Sequence, residues 1–126
     1  MITIREMSPA EAAEAMREGE FGASVREASP NVAVVLTQDW CGQWAALGRS
    51  LRELAEPTGS ARGDTPEVTV FLLIYNLEPY FAEFMRFKEE VLGNDAIPYV
   101  RYYRQGRLIG QSNYVSGLQF LSYFQE

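Results

Sequence analysis

Apolar positions along the chain fall into short buried runs and helical stripes. Ile2 and Ile4 alternate with polar residues, which predicts a short first strand. Ser8-Pro9-Ala10-Glu11 reads as a helix start: Ser8 caps, Pro9 takes the first helical position and Glu11 closes a capping box. That helix runs to about Glu18 and stops at Gly19. Residues 20–30 are small and polar and read as a connection. Asn31 to Thr37 is β-branched with little alternation, the pattern of a central strand buried on both faces. Trp44, Leu47, Leu51 and Leu54 then share one helix face. Pro57 and Gly59 end that helix in a breaker-rich loop over residues 56–66.

Val68 to Tyr75 predicts a second buried strand, and Glu78 to Leu92 a helix stopped by Gly93-Asn94. Ile97 to Arg104 reads as a strand that Gln105-Gly106 turns into Arg107–Gly110, a β-hairpin. Tyr114 to Phe124 closes the chain as a helix, with Leu118, Leu121 and Phe124 at helical spacing. The order is β-α-β-α-β-α-β-β-α. It predicts an α/β fold, a central mixed sheet with helices on both faces and an antiparallel edge from the final hairpin. At 126 residues, the chain is expected to be a single domain over 1–126.

Apolar residues make up 47 % of the chain and charged residues 22 %, which excludes disordered, collagen-like and disulfide-scaffold classes. There are 17 acids against 11 bases, a net charge of −6. Tyr99, Tyr102 and Tyr103 interleave with Arg101, Arg104 and Arg107, a pattern that can stack single-stranded nucleic acid. The acidic balance opposes that reading, and a packed sheet accounts for the tyrosines, so no nucleic-acid partner is expected. Arg101 is the odd residue in a strand covered on both faces. Its expected partner is an acid such as Glu83 or Glu90.

The chain has no histidine, which removes Ser–His–Asp and Cys–His catalysis and His-ligated metals. Cys41 is the only cysteine, so neither an internal disulfide nor a Cys-rich zinc site can form. No cofactor or metal is expected. The N-terminus lacks a basic-then-apolar signal pattern, and no apolar run reaches the ~20 residues that span a bilayer. With one unpaired thiol, the expectation is a cytoplasmic protein with no membrane contact.

Three features together resemble the thioredoxin-like superfamily. A buried strand feeds Trp40-Cys41-Gly42-Gln43-Trp44 at a helix start, similar to the Trp-Cys-Gly-Pro-Cys motif of thioredoxins. Ile97-Pro98 opens a strand after the third long helix, where the family carries a cis-proline facing the cysteine. Tyr103 to Gly110 resembles the family's last hairpin. The likeness covers roughly residues 28–126 in order and spacing. It implies the thioredoxin-like fold and a site built from Cys41 as nucleophile, with Trp40, Gly42, Gln43, Trp44, Ile97 and Pro98 around it.

The departures bear on function. Trp44 stands where the family has its second cysteine, so a dithiol–disulfide cycle is not available. Gln43 replaces the proline between the cysteines, and Val35 occupies the position of the family's buried carboxylate. The strand lysine of the family has no clear counterpart in residues 68–75. The monothiol glutaredoxins, a related variant, carry a Cys-Gly-Phe-Ser motif that is absent here.

Two readings of Cys41 stand side by side. A cysteine at a helix N-terminus faces unpaired N–H groups and the positive end of the dipole, which favour the thiolate. In that reading Cys41 is a monothiol that forms mixed disulfides with a protein or a glutathione-type thiol. In the other, Trp44 covers the sulfur, and the chain is a redox-inactive binding module. Trp40 is either an exposed partner anchor or packed against the loop before Pro98. Trp44 reads as core. Asp39 reads as the helix cap, or else as a proton acceptor for the thiol. A third possibility is that the lone thiol joins two copies of the chain.

Overall fold

The two most apolar runs of the sequence form the adjacent inner strands of a five-stranded sheet. The structure, a computed structural model, describes residues 1–55 and 66–125. The strands are β1 (Ile2–Glu6), β2 (Asn31–Thr37), β3 (Val68–Ile74), β4 (Tyr99–Arg104) and β5 (Arg107–Ser112). Their spatial order is β1-β3-β2-β4-β5. β3 runs parallel to both β1 and β2, whereas β4 is antiparallel to β2 and β5 to β4.

Among the described residues, five α-helices accompany the sheet: α1 (Pro9–Glu18), α2 (Ala23–Arg26), α3 (Gly42–Ala55), α4 (Phe81–Glu90) and α5 (Gly117–Ser122). Successive residues of β2 feed opposite layers. Ala33 and Val35 join a cluster with Leu47 and Leu51 of α3 and Phe120 and Leu121 of α5. Val32, Val34 and Leu36 join Ala12 and Ala15 of α1, Val25 of α2 and Phe84 and Phe87 of α4. A strand covered on both faces has no polar side to show, which explains its lack of alternation.

The capping box at Ser8 forms as predicted. The Ser8 hydroxyl accepts from the Glu11 N–H at 3.1 Å, and Glu11 accepts from the Ser8 N–H at 2.8 Å. Gly19 ends α1 in the left-handed conformation at φ 84°, where a side chain would be strained.

The remaining boundaries differ in detail. The segment over 20–30 contains the one-turn helix α2, which the sequence reading leaves as a connection. The helix expected from Glu78 begins at Phe81, because a 3₁₀ turn over Tyr75–Leu77 comes first. α5 begins after Ser116 rather than at Tyr114, since Ser116 and Gln119 build a second capping box there. The strand expected from Ile97 begins at Tyr99, and β5 continues past Gly110 to Ser112. Pro57, Gly59 and nearly all of the expected 56–66 loop lie outside the described residues. Among the described residues, no helix is long and apolar enough to cross a membrane.

Candidate functional site

β2 ends at Thr37, and the chain turns through Gln38, Asp39 and Trp40 before α3 starts at Gly42. Cys41 occupies the capping position of α3. Its carbonyl accepts the first helical bond, from the Ala45 N–H at 3.1 Å. Its Sγ accepts the Trp44 N–H at 3.4 Å. The sulfur thus takes the place that a serine or aspartate oxygen holds at most helix starts. A backbone N–H aimed at sulfur is also a partner for a thiolate that attacks or leaves.

Asp39 is not the cap. It is too early in the chain, and its carboxylate faces elsewhere. Oδ1 of Asp39 accepts from Nδ2 of Asn76 at 2.7 Å, and Oδ1 of Asn76 accepts from the Asp39 N–H at 2.9 Å. This reciprocal pair ties the turn before Cys41 to the 3₁₀ turn after β3. A second tie lies beside it. The Trp40 indole N–H donates to Oε1 of Gln38 at 2.6 Å, and Nε2 of Gln38 donates to the Tyr75 hydroxyl at 3.2 Å.

Trp40 is 69 % exposed despite that tether. Cys41 is only 7 % exposed and Trp44 8 %. Both belong to the cluster that contains Val35, Leu47, Val100 and Val115. Trp44 therefore turns a buried indole into the core three residues after Cys41, and Val35 is fully buried. The indole needs Gly48, one turn on: a Cβ there would stand 3.0 Å from its ring atoms. Gly42 and Gln43, at the first turn of α3, are exposed.

The Ile97–Pro98 peptide bond is cis. Pro98 is buried, and Ile97 packs against both apolar clusters. Register sets this segment at the same end of the sheet as the turn before α3: Leu36 of β2 pairs with Tyr99, so the end of β2 lies beside the start of β4. Asn113, just past β5, donates to the Pro98 carbonyl at 3.1 Å. Lys88 of α4 is fully buried and donates to the carbonyls of Asn94 at 2.8 Å and Ala96 at 2.7 Å. Burial lowers its ammonium to about 8, although Glu89 and Asp95 act in the opposite direction.

Sequence reading missed Lys88, Asn94, Asn113, Gln38 and Asn76. Lys88 was within reach: it lies four residues after Phe84 and beside Phe87, on the stripe that faces the core. The asparagines carry no such signal.

Arg101 is buried, as its strand requires, but its partner is neither Glu83 nor Glu90. It donates to Oε2 of Glu20 at 2.6 Å and to the hydroxyls of Tyr103 at 2.9 Å and Tyr99 at 2.8 Å. The Tyr103 hydroxyl donates to the other Glu20 oxygen at 2.7 Å. Burial alone would lower the guanidinium, but Tyr103, Glu20 and Tyr99 outweigh it and hold it above its ordinary value. Burial raises Tyr103 and Tyr102 well above the usual phenol range. The tyrosines and Arg101 are thus committed to the interior. Among the described residues, no three His, Cys, Asp or Glu side chains converge as a metal site.

No family model matches the chain, and no curated protein matches it in sequence. Its structure is similar to thioredoxin O2 from Arabidopsis thaliana in the oxidized state. The TM-score is 0.62 at 15 % identity, over 98 % of this chain and 91 % of that one. It is also similar to thioredoxin f from spinach chloroplast, with a TM-score of 0.61 at 17 % identity over 98 % and 84 % of the two chains. A putative oxidoreductase with a thioredoxin fold matches at a TM-score of 0.57 and 10 % identity, over 98 % and 95 %. The chain has the thioredoxin-like fold and a single cysteine.

Proposed function

We propose that the chain is a monothiol thioredoxin-fold protein that forms mixed disulfides through Cys41. The observation that carries this is the Trp44 N–H donated to Sγ at 3.4 Å at the start of α3. The proposed step is balanced within the thiol–disulfide couple. The Cys41 thiol loses its proton to solvent, and the thiolate attacks one sulfur of a partner disulfide. A Cys41–S–S–partner bond forms, the partner's own S–S bond breaks, and its other sulfur leaves as thiolate with the electron pair. A second, low-molecular-weight thiol of the glutathione type then displaces the partner and restores Cys41.

The partner is a disulfide carried on an extended segment of a protein, or a small disulfide of the glutathione type. Exposed Trp40 supplies an aromatic anchor beside the sulfur. Among the described residues, no hydrogen bond engages the N–H or carbonyl of Ile97, so that backbone is available for strand-like pairing. Gly42 and Gln43 line the exposed side of the turn. A lone thiol of this kind suits a reducing compartment such as the cytoplasm.

The alternative is a redox-inactive thioredoxin-fold binding module. The 7 % exposure of Cys41 and the indole of Trp44 in place of a resolving thiol favour it.

The test is reaction of the reduced native protein with glutathione disulfide, followed by intact mass, beside Cys41→Ser. A glutathione adduct on the native chain that is absent from Cys41→Ser and reversed by excess thiol supports the monothiol reading. A cysteine that reacts only after unfolding leaves the binding module.

A further inference from the structure

Ile97 sits between two held neighbours. On one side, Lys88 Nζ donates to the Ala96 carbonyl at 2.7 Å and to the Asn94 carbonyl at 2.8 Å. On the other, Nδ2 of Asn113 donates to the Pro98 carbonyl at 3.1 Å. One amide pair joins the two sides. Asn94 and Asn113 donate to each other at 3.2 and 3.0 Å. Oδ1 of Asn94 also accepts from the Ala96 N–H at 3.0 Å and from Lys88 at 3.5 Å. The network runs unbroken from α4 to the exit of β5 and leaves the Ile97 backbone unengaged among the described residues.

We infer that Lys88 is the positioning residue of this loop: its buried ammonium grips the carbonyls before Ile97 and presents the Ile97 backbone to an extended partner. This inference rests on the partner-binding half of the reading above. The chemistry requires a lysine. Its compact ammonium carries three rotatable donors, enough for two carbonyls and an amide oxygen, and its four-carbon stem fills the apolar layer beside Phe84 and Phe87. An apolar side chain of the same length would leave two carbonyls without a donor, and the loop would move to find water. The Tyr99 ring, 5.6 Å from Nζ, adds a face that favours the cation.

The test uses the full chain, its Lys88→Met variant and two disulfide reagents with the same aromatic leaving group. One reagent is a single N-acetylcysteine, and the other a cysteine within an extended peptide. Dividing the peptide rate by the small-reagent rate removes the intrinsic reactivity of the sulfur. In the parent protein the peptide is expected to react faster. In Lys88→Met that ratio should fall about tenfold, with the small-reagent rate within about twofold of the parent. Amide hydrogen exchange at Ala96 should accelerate while β2 and β3 stay protected.

Unchanged exchange at Ala96 overturns the grip. Faster exchange with an undiminished ratio overturns its role in presenting Ile97. A ratio near one in the parent overturns peptide docking itself, and with it any role for Lys88 in docking; the Ala96 amide still decides separately whether the grip exists. If Lys88→Met does not fold, Asn113→Ala removes the hold on the Pro98 carbonyl and must lower the same ratio.

Discussion

The Trp44 N–H and the Cys41 sulfur are joined by a 3.4 Å hydrogen bond, so the residue three positions on touches the thiol. It does so through its backbone, while its indole turns into the core. Trp44→Cys should therefore let the introduced thiol form a disulfide with Cys41 on oxidation, read by mass spectrometry as the loss of two hydrogens. The lost indole should cost about 3–5 kcal/mol of stability. Two free thiols after treatment with excess glutathione disulfide would refute this.

Trp40 is tethered by Gln38 but makes no place for itself in the core. Trp40→Ala should change stability by no more than about 0.5 kcal/mol. Exchange with a peptide disulfide should slow by about tenfold, as for loss of an aromatic anchor. Equal loss with a small disulfide would place the tryptophan's effect on the sulfur rather than on docking.

Among the described residues, Glu20 supplies the only carboxylate bonded to buried Arg101, and its side chain is 36 % exposed. Breaking a fully buried pair costs about 3–5 kcal/mol, and the exposed side of Glu20 screens part of that. Glu20→Ala should therefore destabilise by about 2 kcal/mol in urea unfolding, with Arg101 retaining Tyr99 and Tyr103. A neutral result would mean that the two phenols suffice.

Lys88 is lowered from 10.5 to about 8 in the folded protein. Between those values the unfolded chain binds the proton that the folded chain has released, so this group makes stability rise with pH across that window. Buried Tyr102 and Tyr103 act in the opposite sense: raised in the fold, they keep their protons while the unfolded chain loses its own past the ordinary phenol range, so there stability falls as pH climbs. The difference in stability between the parent and Lys88→Met isolates the lysine, since both keep Glu89, Asp95 and the tyrosines. That difference should move in favour of the parent from pH 8 to 10.5. A flat difference would mean an unshifted ammonium.

Local chemistry was legible where one element suffices to decide it. Ser8, Pro9 and Glu11 specify a helix start from within four residues. The unbroken run over Asn31–Thr37 specifies a strand covered on both faces. Trp40 and Cys41 were visible as candidates because they follow the end of β2 at the start of a helix, and Pro98 because it precedes the strand whose Tyr99 pairs with Leu36.

Partners across space were not legible, because they depend on how far each side chain reaches once the layers have packed. Arg101 finds Glu20, 81 positions away, rather than an acid on α4. Asp39 turns to Asn76, 37 positions on, and leaves the cap to a sulfur. Periodicity along the chain determines which faces are buried, since burial is a property of each element's own pattern. A buried polar group instead takes whichever donor or acceptor the tertiary packing delivers, and leaving it unpaired costs too much to tolerate. The hold of Lys88 and Asn113 around Ile97 is of that second kind, and it exists only in the folded molecule.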